Sequence, residues 1–456
     1  MNSITQDNHQ DIILSEKLAI FAKKYRIREI LRSSNAYKEK GISVLCIFLE
    51  AFSMVFLHQT MYMRMLLHAD SVPFRKQTFY RFLNSCHINW RRFTALLCLR
   101  IVRETLSPLT SDDRIDALII DDSLYARSCS KRVELLAKVY DHVKKRYEKG
   151  MRLLTLCWTD GNTTLPVSHC LLSTANPKCR INEAKAMDSR LNGAKQRKLA
   201  QMEAPDVVLK LLQEAKDLGF KARHVLFDTW FCSPKSLIAI RAIGFHVIAM
   251  MKKGATKYLL DGKSLTVKQI FDQSKKRRGR SKYLLSVDVQ VQREERVIPA
   301  RMVFVRNRNK RKDFLVLIST DMSLEASEIV RIYGKRWGIE VFFKMCKSYL
   351  RLTTECRSIS YDAMTAHVAI VMSRYMMLAV DQRMNTDERS FGELFALVTE
   401  EMQDIRFIDA LHLLYSRMEE ILTEFPDIEE QMIHRMMDSF VEMLTHAFRE
   451  RLEKCA

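Results

Sequence analysis

The chain has 456 residues, 47% of them hydrophobic, with only 12 Gly and 8 Pro, which excludes a disordered chain and predicts a helix-rich protein of more than one domain. The formal net charge of +20 predicts a polyanionic partner, first of all nucleic acid; a basic protein without such a partner is the alternative. The 11 cysteines form no C-x-x-C pair and no zinc-spaced cluster, so they indicate free thiols in a reducing cytoplasm.

Residues 1–112 have a helical pattern and are predicted to form a helical DNA-binding domain. Its apolar segment Ile42 to Leu67 is interrupted by residues such as Glu50 and Arg64, which favours buried helices over a membrane span. A short helix with three basic residues among its aromatics fits either a DNA groove or a packing role, and both interpretations stay open. These residues are Arg75, Lys76, Phe79, Tyr80, Arg81 and Phe82.

Residues 113–252 change to a pattern of apolar strands and helices. The first strand, Ala117 to Ile120, ends in Asp121-Asp122-Ser123, and a later strand, Val225 to Phe227, ends in Asp228. The order strand, hairpin, helix, strand, helix, strand predicts an α/β fold with an RNase H-like core. The remaining elements are strands at Met151 to Trp158, Thr164 to Ser173 and His246 to Met251, and helices at Pro205 to Leu218 and from Ser233 to Ala242.

Residues 253–321 are predicted to form a β-rich basic insertion in this core, with strands at Tyr283 to Val291, Val297 to Val305 and Phe314 to Ile318. A basic run precedes the first of these strands and is predicted to contact DNA phosphates, a solvated loop being the alternative. The run contains Lys275, Lys276, Arg277 and Arg278.

Residues 322–385 are predicted to complete the core with a helix that carries Tyr333, Arg336, Glu340 and Lys347 along one face. An amphipathic helix with an ordinary Arg336–Glu340 surface pair is the alternative. The predicted apolar stripe contains Ile332, Trp337, Ile339, Phe343 and Tyr349. Residues 386–456 are predicted to form a helical C-terminal region, including a helix from Phe391 to Met402.

Asp121, Asp228 and Glu340 are the candidate catalytic carboxylates. Phosphodiester cleavage needs stabilisation of the attacking and leaving oxygens, and Mg²⁺ bound by hard oxygen ligands provides it. A strand end on a rigid core and a helix are suitable places for such ligands. As alternatives, Asp121 is a turn aspartate and Asp228 is a loop residue before the Ser233 cap.

The spacing Tyr-x2-Arg-x3-Glu-x6-Lys is matched at all four positions, Tyr333, Arg336, Glu340 and Lys347. It resembles the C-terminal block of DDE transposases of the insertion sequence 4 family. Ile120-Asp121-Asp122-Ser123 and Phe227-Asp228-Thr229-Trp230 resemble the two upstream blocks, in the family's order. Either Asp121 or Asp122 fits as the first ligand, and Asp121 is favoured because the family usually has Asp, any residue, then Thr or Ser.

The resemblance implies that Asp121, Asp228 and Glu340 hold two Mg²⁺ ions, with Mn²⁺ as a substitute. It also implies that Tyr333, Arg336 and Lys347 hold the DNA end, and we expect Lys344 of the same block to contact DNA as well. The insertion has no Trp to receive a flipped base, so the route of second-strand cleavage stays open.

The implied function is a cut-and-paste transposase of a bacterial insertion sequence. It would bind terminal inverted repeats, cleave them by metal-activated hydrolysis and join the 3′-hydroxyl ends to target DNA. Expected with it are double-stranded DNA as partner, a homodimer in the DNA complex, and a place in the bacterial cytoplasm with the nucleoid and not in a membrane. A catalytically idle DNA-binding protein and a metal-dependent nuclease without strand transfer are the alternatives.

Overall fold

A computed structural model of the protein describes residues 16–67, 72–109, 114, 116–141, 144–277, 283–307 and 313–384, with a few helical positions between 418 and 439. The predicted helix from Phe391 to Met402, most of the predicted C-terminal region, and Arg278 of the basic run lie outside the described residues.

The N-terminal part is helical, as its apolar periodicity predicts. Its core is aromatic: Phe93 packs edge-on to Phe48 with ring centroids 5.2 Å apart, and both side chains are fully buried. Helix α6 continues into a π-helical turn, Val102–Leu106. The helices are α1 (Glu16–Lys24), α2 (Ile27–Ser33), α3 (Val44–Ser53), α4 (Met61–Leu67), α5 (Lys76–Leu83) and α6 (Trp90–Ile101).

The strands of the described residues join into one mixed sheet. The apolar runs at Ala117 to Ile120 and at Val225 to Phe227 become strands that are buried on both faces, which explains their lack of alternation. The strands are β1 (Ala117–Ala126), β2 (Ala137–Asp141), β3 (Arg146–Thr159), β4 (Thr164–Leu172), β5 (His224–Phe227), β6 (His246–Met250), β7 (Lys257–Leu260), β8 (Lys263–Thr266), β9 (Leu285–Arg293), β10 (Arg296–Arg306) and β11 (Phe314–Ser319).

The strand order is β2-β3-β1-β5-β6-β11-β10-β9-β7-β8, and β4 also pairs with β3. Strand β3 is antiparallel to β1 and β4, whereas β5 is parallel to both β1 and β6. The predicted β-rich segment therefore extends the same sheet, because β11 pairs with β6. The short strands β2, β7 and β8 were not predicted.

The predicted hairpin is formed by β3 and β4, where Thr159 pairs with Thr164. One carboxylate oxygen of Asp160, Oδ1, accepts the backbone N–H groups of Asn162 and Thr163, both at 2.8 Å. Gly161 has a φ of +96°, which a residue with a side chain rarely adopts. The Asp-Gly pair thus makes the turn by the chemistry that the sequence indicates.

Further helices cover the sheet. The predicted cap at Ser233 is confirmed, since its hydroxyl accepts the N–H of Ser236 at 3.2 Å. The helices are α7 (Asn192–Ala200), α8 (Ala204–Asp217), α9 (Pro234–Ile243), α10 (Val267–Gln273), α11 (Ala326–Gly334), α12 (Trp337–Ser348) and α13 (Tyr361–Met384).

Helix α13 lies at the centre of the molecule. It contacts α3, α5 and α6 of the N-terminal part, the sheet through β4, and α12. By length and composition it could cross a membrane, but every residue from Tyr361 to Val380 is buried within the fold. Its apolar character is therefore explained by its position in the core.

His169 of β4 is fully buried, and burial lowers its pKa to about 3. Between about pH 3 and 6.5 the unfolded chain binds a proton at this residue that the folded chain does not, so folding stability falls as the pH falls.

We expect wild-type protein to lose about 1 kcal/mol of unfolding free energy per pH unit through His169 below pH 6.5. Urea unfolding at pH 7 and 5 should show a smaller difference for His169→Gln. His87→Gln, at an exposed histidine, should retain the wild-type difference, and an unchanged difference in His169→Gln would contradict the assignment.

Candidate catalytic carboxylate site

Two aspartates lie side by side at one edge of the buried strands. Ile120 of β1 pairs with Phe227 of β5 in parallel register, so Asp121 and Asp228 are the next residues on neighbouring strands. Neighbouring strands are about 4.8 Å apart. Strand β1 does not end before Asp121, as the sequence predicts, but continues through it to Ala126 by pairing with β3, whereas β5 ends at Phe227, directly before Asp228. The fold therefore brings together two carboxylates that are separated by more than a hundred residues in the sequence.

Asp121 is in a largely buried position that disfavours its charge. Burial, together with the nearby carboxylates of Asp122 and Asp228, raises its pKa to about 6. The N–H of Asp122, which donates to Asp121 Oδ1 at 2.8 Å, and the guanidinium of Arg336 act in the opposite direction. A cation placed at Asp121 would be bound favourably because it offsets this cost.

Asp122 has a different partner. Successive side chains of a strand point to opposite faces, and the Asp122 carboxylate is held by Nε and Nη2 of Arg152 on β3. The Asp121 carboxylate instead accepts from Arg336 Nη1 at 3.3 Å. Of the two aspartates that fit the sequence pattern, Asp121 is the one that faces the Arg336 side.

The prediction of one continuous helix through Tyr333, Arg336, Glu340 and Lys347 is wrong. Helix α11 ends at Gly334 and α12 begins at Trp337, and a tight turn joins them. In this turn the N–H groups of Lys335 and Arg336 donate three residues back, both at 3.0 Å. Tyr333 therefore belongs to α11, while Glu340 and Lys347 belong to α12.

Two glycines flank the break. Gly334 and Gly338 both have low helix propensity. At Gly338 an added Cβ would lie 2.1 Å from Thr164 Oγ1, so only glycine lets the start of α12 lie this close to β4. The sequence pattern shows the spacing of the candidate site residues but not this contact between α12 and β4.

The predicted apolar stripe also needs correction. Trp337 is 64% exposed and Tyr349 is exposed as well, so neither is a core residue. Phe342, which was not predicted, is fully buried and packs edge-on against Tyr375 of α13 with centroids 4.8 Å apart. The turn before α12 rotates the buried face of this helix away from the one that a continuous helix would have.

Arg336 links the strand edge to α12. Its Nη1 donates to Asp121 Oδ2 and its Nη2 to Glu340 Oε1, so one guanidinium joins two of the three candidate carboxylates. Burial works against its charge, but Tyr333, Glu340 and Asp121 together raise the pKa of Arg336. The ring centre of Tyr333 lies 5.9 Å from this guanidinium. Burial raises the pKa of the Tyr333 hydroxyl.

Lys347 extends the same group of residues. Its Nζ donates to Ser123 Oγ at 2.6 Å, and burial lowers its pKa. Lys344, one turn earlier on α12, is exposed. Five of the predicted site residues, Asp121, Asp228, Arg336, Glu340 and Lys347, thus lie at or beside the β1–β5 edge and α12, with Tyr333 adjoining.

The basic run lies apart from the carboxylates in its described contacts. Lys276 Nζ is 4.7 Å from the ring centre of Phe271 and donates to the Asp272 carbonyl at 3.1 Å. The Arg277 guanidinium stacks 4.5 Å from the ring centre of Tyr283. Lys275 is exposed beside them.

Two side chains near the site were not predicted. Arg152 is the one charged residue of the predicted strand Met151 to Trp158, and that irregularity is the signal that the sequence offers. Trp230 is 54% exposed, two residues after Asp228, and Lys252 Nζ lies 4.9 Å from its ring centre. Its position in the Phe227-Asp228-Thr229-Trp230 block was visible, but its exposure was not.

The carboxylates fit a divalent cation in part. Asp121 and Asp228 are neighbouring oxygen donors. The raised pKa of Asp121 shows that its negative charge is unfavourable in this position, and a bound cation would stabilise it. Within the described ranges no three His, Cys, Asp or Glu side chains are already grouped to hold a metal ion. The Arg336 guanidinium lies between Asp121 and Glu340 and occupies one oxygen of each carboxylate.

A family model described as DDE superfamily endonuclease matches residues 53–297, more than half of the chain. The chain belongs to this family. The matched part of this DDE superfamily endonuclease contains Asp121 and Asp228 and ends before Glu340. A search of curated proteins found no match.

Among solved structures, one similar chain is in a strand transfer complex of the Drosophila P element transposase. The identity is 10%, the alignment covers 95% of this chain and 100% of that chain, and the TM-score is 0.22. A TM-score this low does not establish a shared fold. Neither match names the insertion sequence 4 family, so that narrower assignment stays a prediction.

Arg152 and Asp122 form a largely buried pair, and removal of one member leaves the other charge without compensation. We expect Arg152→Ala to lower the unfolding free energy of the DDE superfamily endonuclease by about 2–4 kcal/mol. Arg190→Ala, which breaks an exposed pair with Asp188, should cost less than about 1 kcal/mol. Equal costs in chemical denaturation would show that the Arg152–Asp122 pair has no special structural role.

Proposed function

We propose that the protein is a DNA transposase that cleaves the ends of its element with metal assistance and joins the 3′-hydroxyl ends to target DNA. The observation that carries this proposal is the parallel register of Ile120 with Phe227, which places Asp121 beside Asp228. Two further observations support it. The DDE superfamily endonuclease model matches the part of the chain that contains both aspartates, and α12 places Glu340 so that Arg336 bonds to both Glu340 and Asp121.

The sheet topology supports an RNase H-like core. In the order β4-β3-β1-β5-β6, three antiparallel strands are followed by two parallel ones. Along the chain, residues 113–252 have the predicted succession of strand, hairpin, helix, strand, helix and strand, with β2 and α7 as additions, and 322–385 would supply α12 and α13. Strands β7 to β11 would then be the insertion at 253–321, attached to the core through the β11–β6 pairing.

In the proposed site Asp121, Asp228 and Glu340 hold the metal ions, of which Mg²⁺ is the expected species. When bound, the metal ions stabilise the developing charge on the attacking and leaving oxygens of the phosphodiester. The guanidinium of Arg336, released from Glu340, can grip a DNA phosphate with two parallel hydrogen bonds. Lys347 offers a point charge beside Ser123, and Tyr333 packs against Arg336 to fix its position.

Other contacts with double-stranded DNA are proposed at Lys344, which is exposed on α12, and at Lys275, Lys276 and Arg277. The stacking of Arg277 and Lys276 on aromatic rings orders this segment while leaving the cations exposed. A homodimer on the two element ends, and a place in the bacterial cytoplasm, complete the proposal as the resemblance implies them.

A metal-dependent endonuclease without strand transfer is the second candidate, because the matched family is described as endonuclease. It would use the same carboxylates, so mutagenesis alone does not separate the two. An assay with pre-cleaved ends and a supercoiled target decides between them: a transposase joins the 3′-hydroxyl ends to the plasmid, and a plain nuclease only nicks it.

The carboxylate roles are tested with Asp121→Ala, Asp228→Ala and Glu340→Ala. Each should abolish Mg²⁺-dependent cleavage of a plasmid that carries the DNA flanking the gene, while binding of the same DNA stays within a few-fold, since phosphate contacts supply most of the affinity. Asp206→Ala, at an exposed carboxylate paired with Lys235, is the matched control and should cleave normally. Normal cleavage by Asp121→Ala would refute the assignment of the first ligand, and a dead but folded Asp122→Ala would then replace it.

Arg336→Lys retains the charge but not the two-pronged geometry of the guanidinium. We expect it to lower end cleavage at least tenfold, about 1.4 kcal/mol of transition-state stabilisation, with a smaller effect on general DNA binding. The matched control is Arg331→Lys, which alters an exposed pair with Glu328 on α11 and should leave cleavage unchanged. If Arg336→Lys cleaves the ends as fast as the wild-type protein, the Arg336–Glu340 pair is a structural contact without a role in cleavage.

A further inference from the structure

A second group of basic residues surrounds a cavity in the N-terminal part, away from the carboxylates. The cavity has a volume of about 730 Å³. Its walls are the α2–α3 loop, the end of α5 with the turn after it, and residues 190–192 at the start of α7. We call it the N-terminal basic cavity.

Hydrogen bonds fix these three walls to one another. The Asn89 N–H donates to the Ser34 carbonyl at 2.9 Å, which joins the turn after α5 to the α2–α3 loop. The Gly193 N–H donates to the Cys86 carbonyl at 2.8 Å, and Asn192 Nδ2 donates to the His87 carbonyl at 2.7 Å. The cavity is therefore a built feature of the fold, with a floor of buried side chains that includes Phe82 and Ile88.

The charges that line the cavity are all positive. They belong to Lys38, Lys40, Arg81 and Arg190, and no carboxylate side chain lines the cavity. Arg190 is compensated by Asp188, whose carboxylate accepts from its guanidinium. Lys38, Lys40 and Arg81 make no ion pair with any residue that the structure describes.

Burial and the neighbouring Arg81 lower the pKa of Lys38. Like charges thus face one another across a concave surface, and an anion placed between them would remove their repulsion.

The positive surface continues beyond this cavity. An adjoining cavity of about 450 Å³ shares Tyr37 and Lys38 with it and adds Arg28 and Arg32, with Glu39 as its carboxylate. Tyr37 is 60% exposed between the two and offers an aromatic face. The cations are therefore spread along a band and do not converge on one point.

We propose that the N-terminal basic cavity binds the phosphate backbone of DNA, as a contact region separate from the carboxylate site. This inference rests on the proposed function, in which DNA is the substrate, and adds where the N-terminal part holds it. A single small phosphate is a poorer fit, because the lining cations are exposed and spread over two adjoining cavities, whereas a backbone presents phosphates at regular intervals.

The structure also shows which side chains of α5 are available to contact DNA. Phe79 and Phe82 are buried in the helical core, so they do not read DNA. Arg81 from the last turn of α5 lines the cavity, while Lys76 from its first turn lies 5.3 Å from the ring centre of Tyr62. The helix thus packs with Phe79 and Phe82, leaves Tyr80 exposed, and contributes Arg81 to the cavity.

The test compares two charge-matched double variants of the full chain, Lys38→Gln/Lys40→Gln and Lys210→Gln/Lys221→Gln, the latter at exposed lysines on α8 and just after it. The affinity for a fluorescent 30-base-pair duplex is measured by anisotropy across a NaCl series. The cavity variant should reduce the slope of log affinity against log salt by up to about 1.8, at about 0.9 for each phosphate that is no longer neutralised. The control variant should keep the wild-type slope. Equal slopes for wild type and cavity variant overturn the proposal.

Lysine acetylation followed by mass spectrometry gives a second measurement on the unmodified protein. The duplex should protect Lys38 and Lys40 several-fold and leave Lys210 and Lys221 reactive. One outcome would identify a small-anion site and reject the DNA contact. In that outcome inorganic pyrophosphate stabilises the wild-type protein but not the cavity variant, and both have the same salt dependence of duplex affinity. Failure of the proposed function is distinguishable, since wild-type protein would then neither bind the duplex nor nick DNA.

Discussion

Parallel pairing of β1 with β5 places the rest of the candidate site. Both strands are fully buried where they pair, and a register shift by one residue would move Asp121 and Asp228 to opposite sides of the sheet. The apolar residues that precede each aspartate therefore fill the core and also fix the position of each carboxylate along its strand. Helix α12 reaches the same edge by packing against β1 and β4.

The carboxylates at this edge repel one another, and Arg336 offsets that repulsion. A buried guanidinium is costly unless its hydrogen-bond donors are used, and Arg336 uses two of them on Asp121 and Glu340. Arg336 ties α12 to β1 through Oδ2 of Asp121 and Oε1 of Glu340, two of the carboxylates proposed to hold metal ions. If the proposed metal ions bind at these carboxylates, they compete there with the Arg336 guanidinium, which also stabilises the fold.

Strands and caps that depend on local pattern were predictable. The Asp-Gly hairpin, the Ser233 cap and the apolar runs before Asp121 and Asp228 each follow from residues next to one another in the chain. What failed depended on distant contacts. The turn between α11 and α12 sets Gly338 against Thr164 of β4, and the partner of Asp122 is Arg152, a residue on another strand. The N-terminal basic cavity needs residues 190–192 against the end of α5, which no periodicity reveals.

The central position of α13 constrains the time at which the protein can fold on the ribosome. The backbone carbonyls of Ala51 and Phe52 in α3 accept from Arg374 of α13 at 2.6 and 2.9 Å, so the N-terminal helices share a core with a segment more than three hundred residues later. Until residues 361–380 have been synthesised, α3, α5 and α6 lack the apolar surface that covers them. A chain that ends before Tyr361 contains every candidate catalytic residue but not the helix that completes their support. Translation through α13 is therefore a built-in requirement for an assembled site, and copies of the gene that end before Tyr361 would produce chains that cannot complete this core.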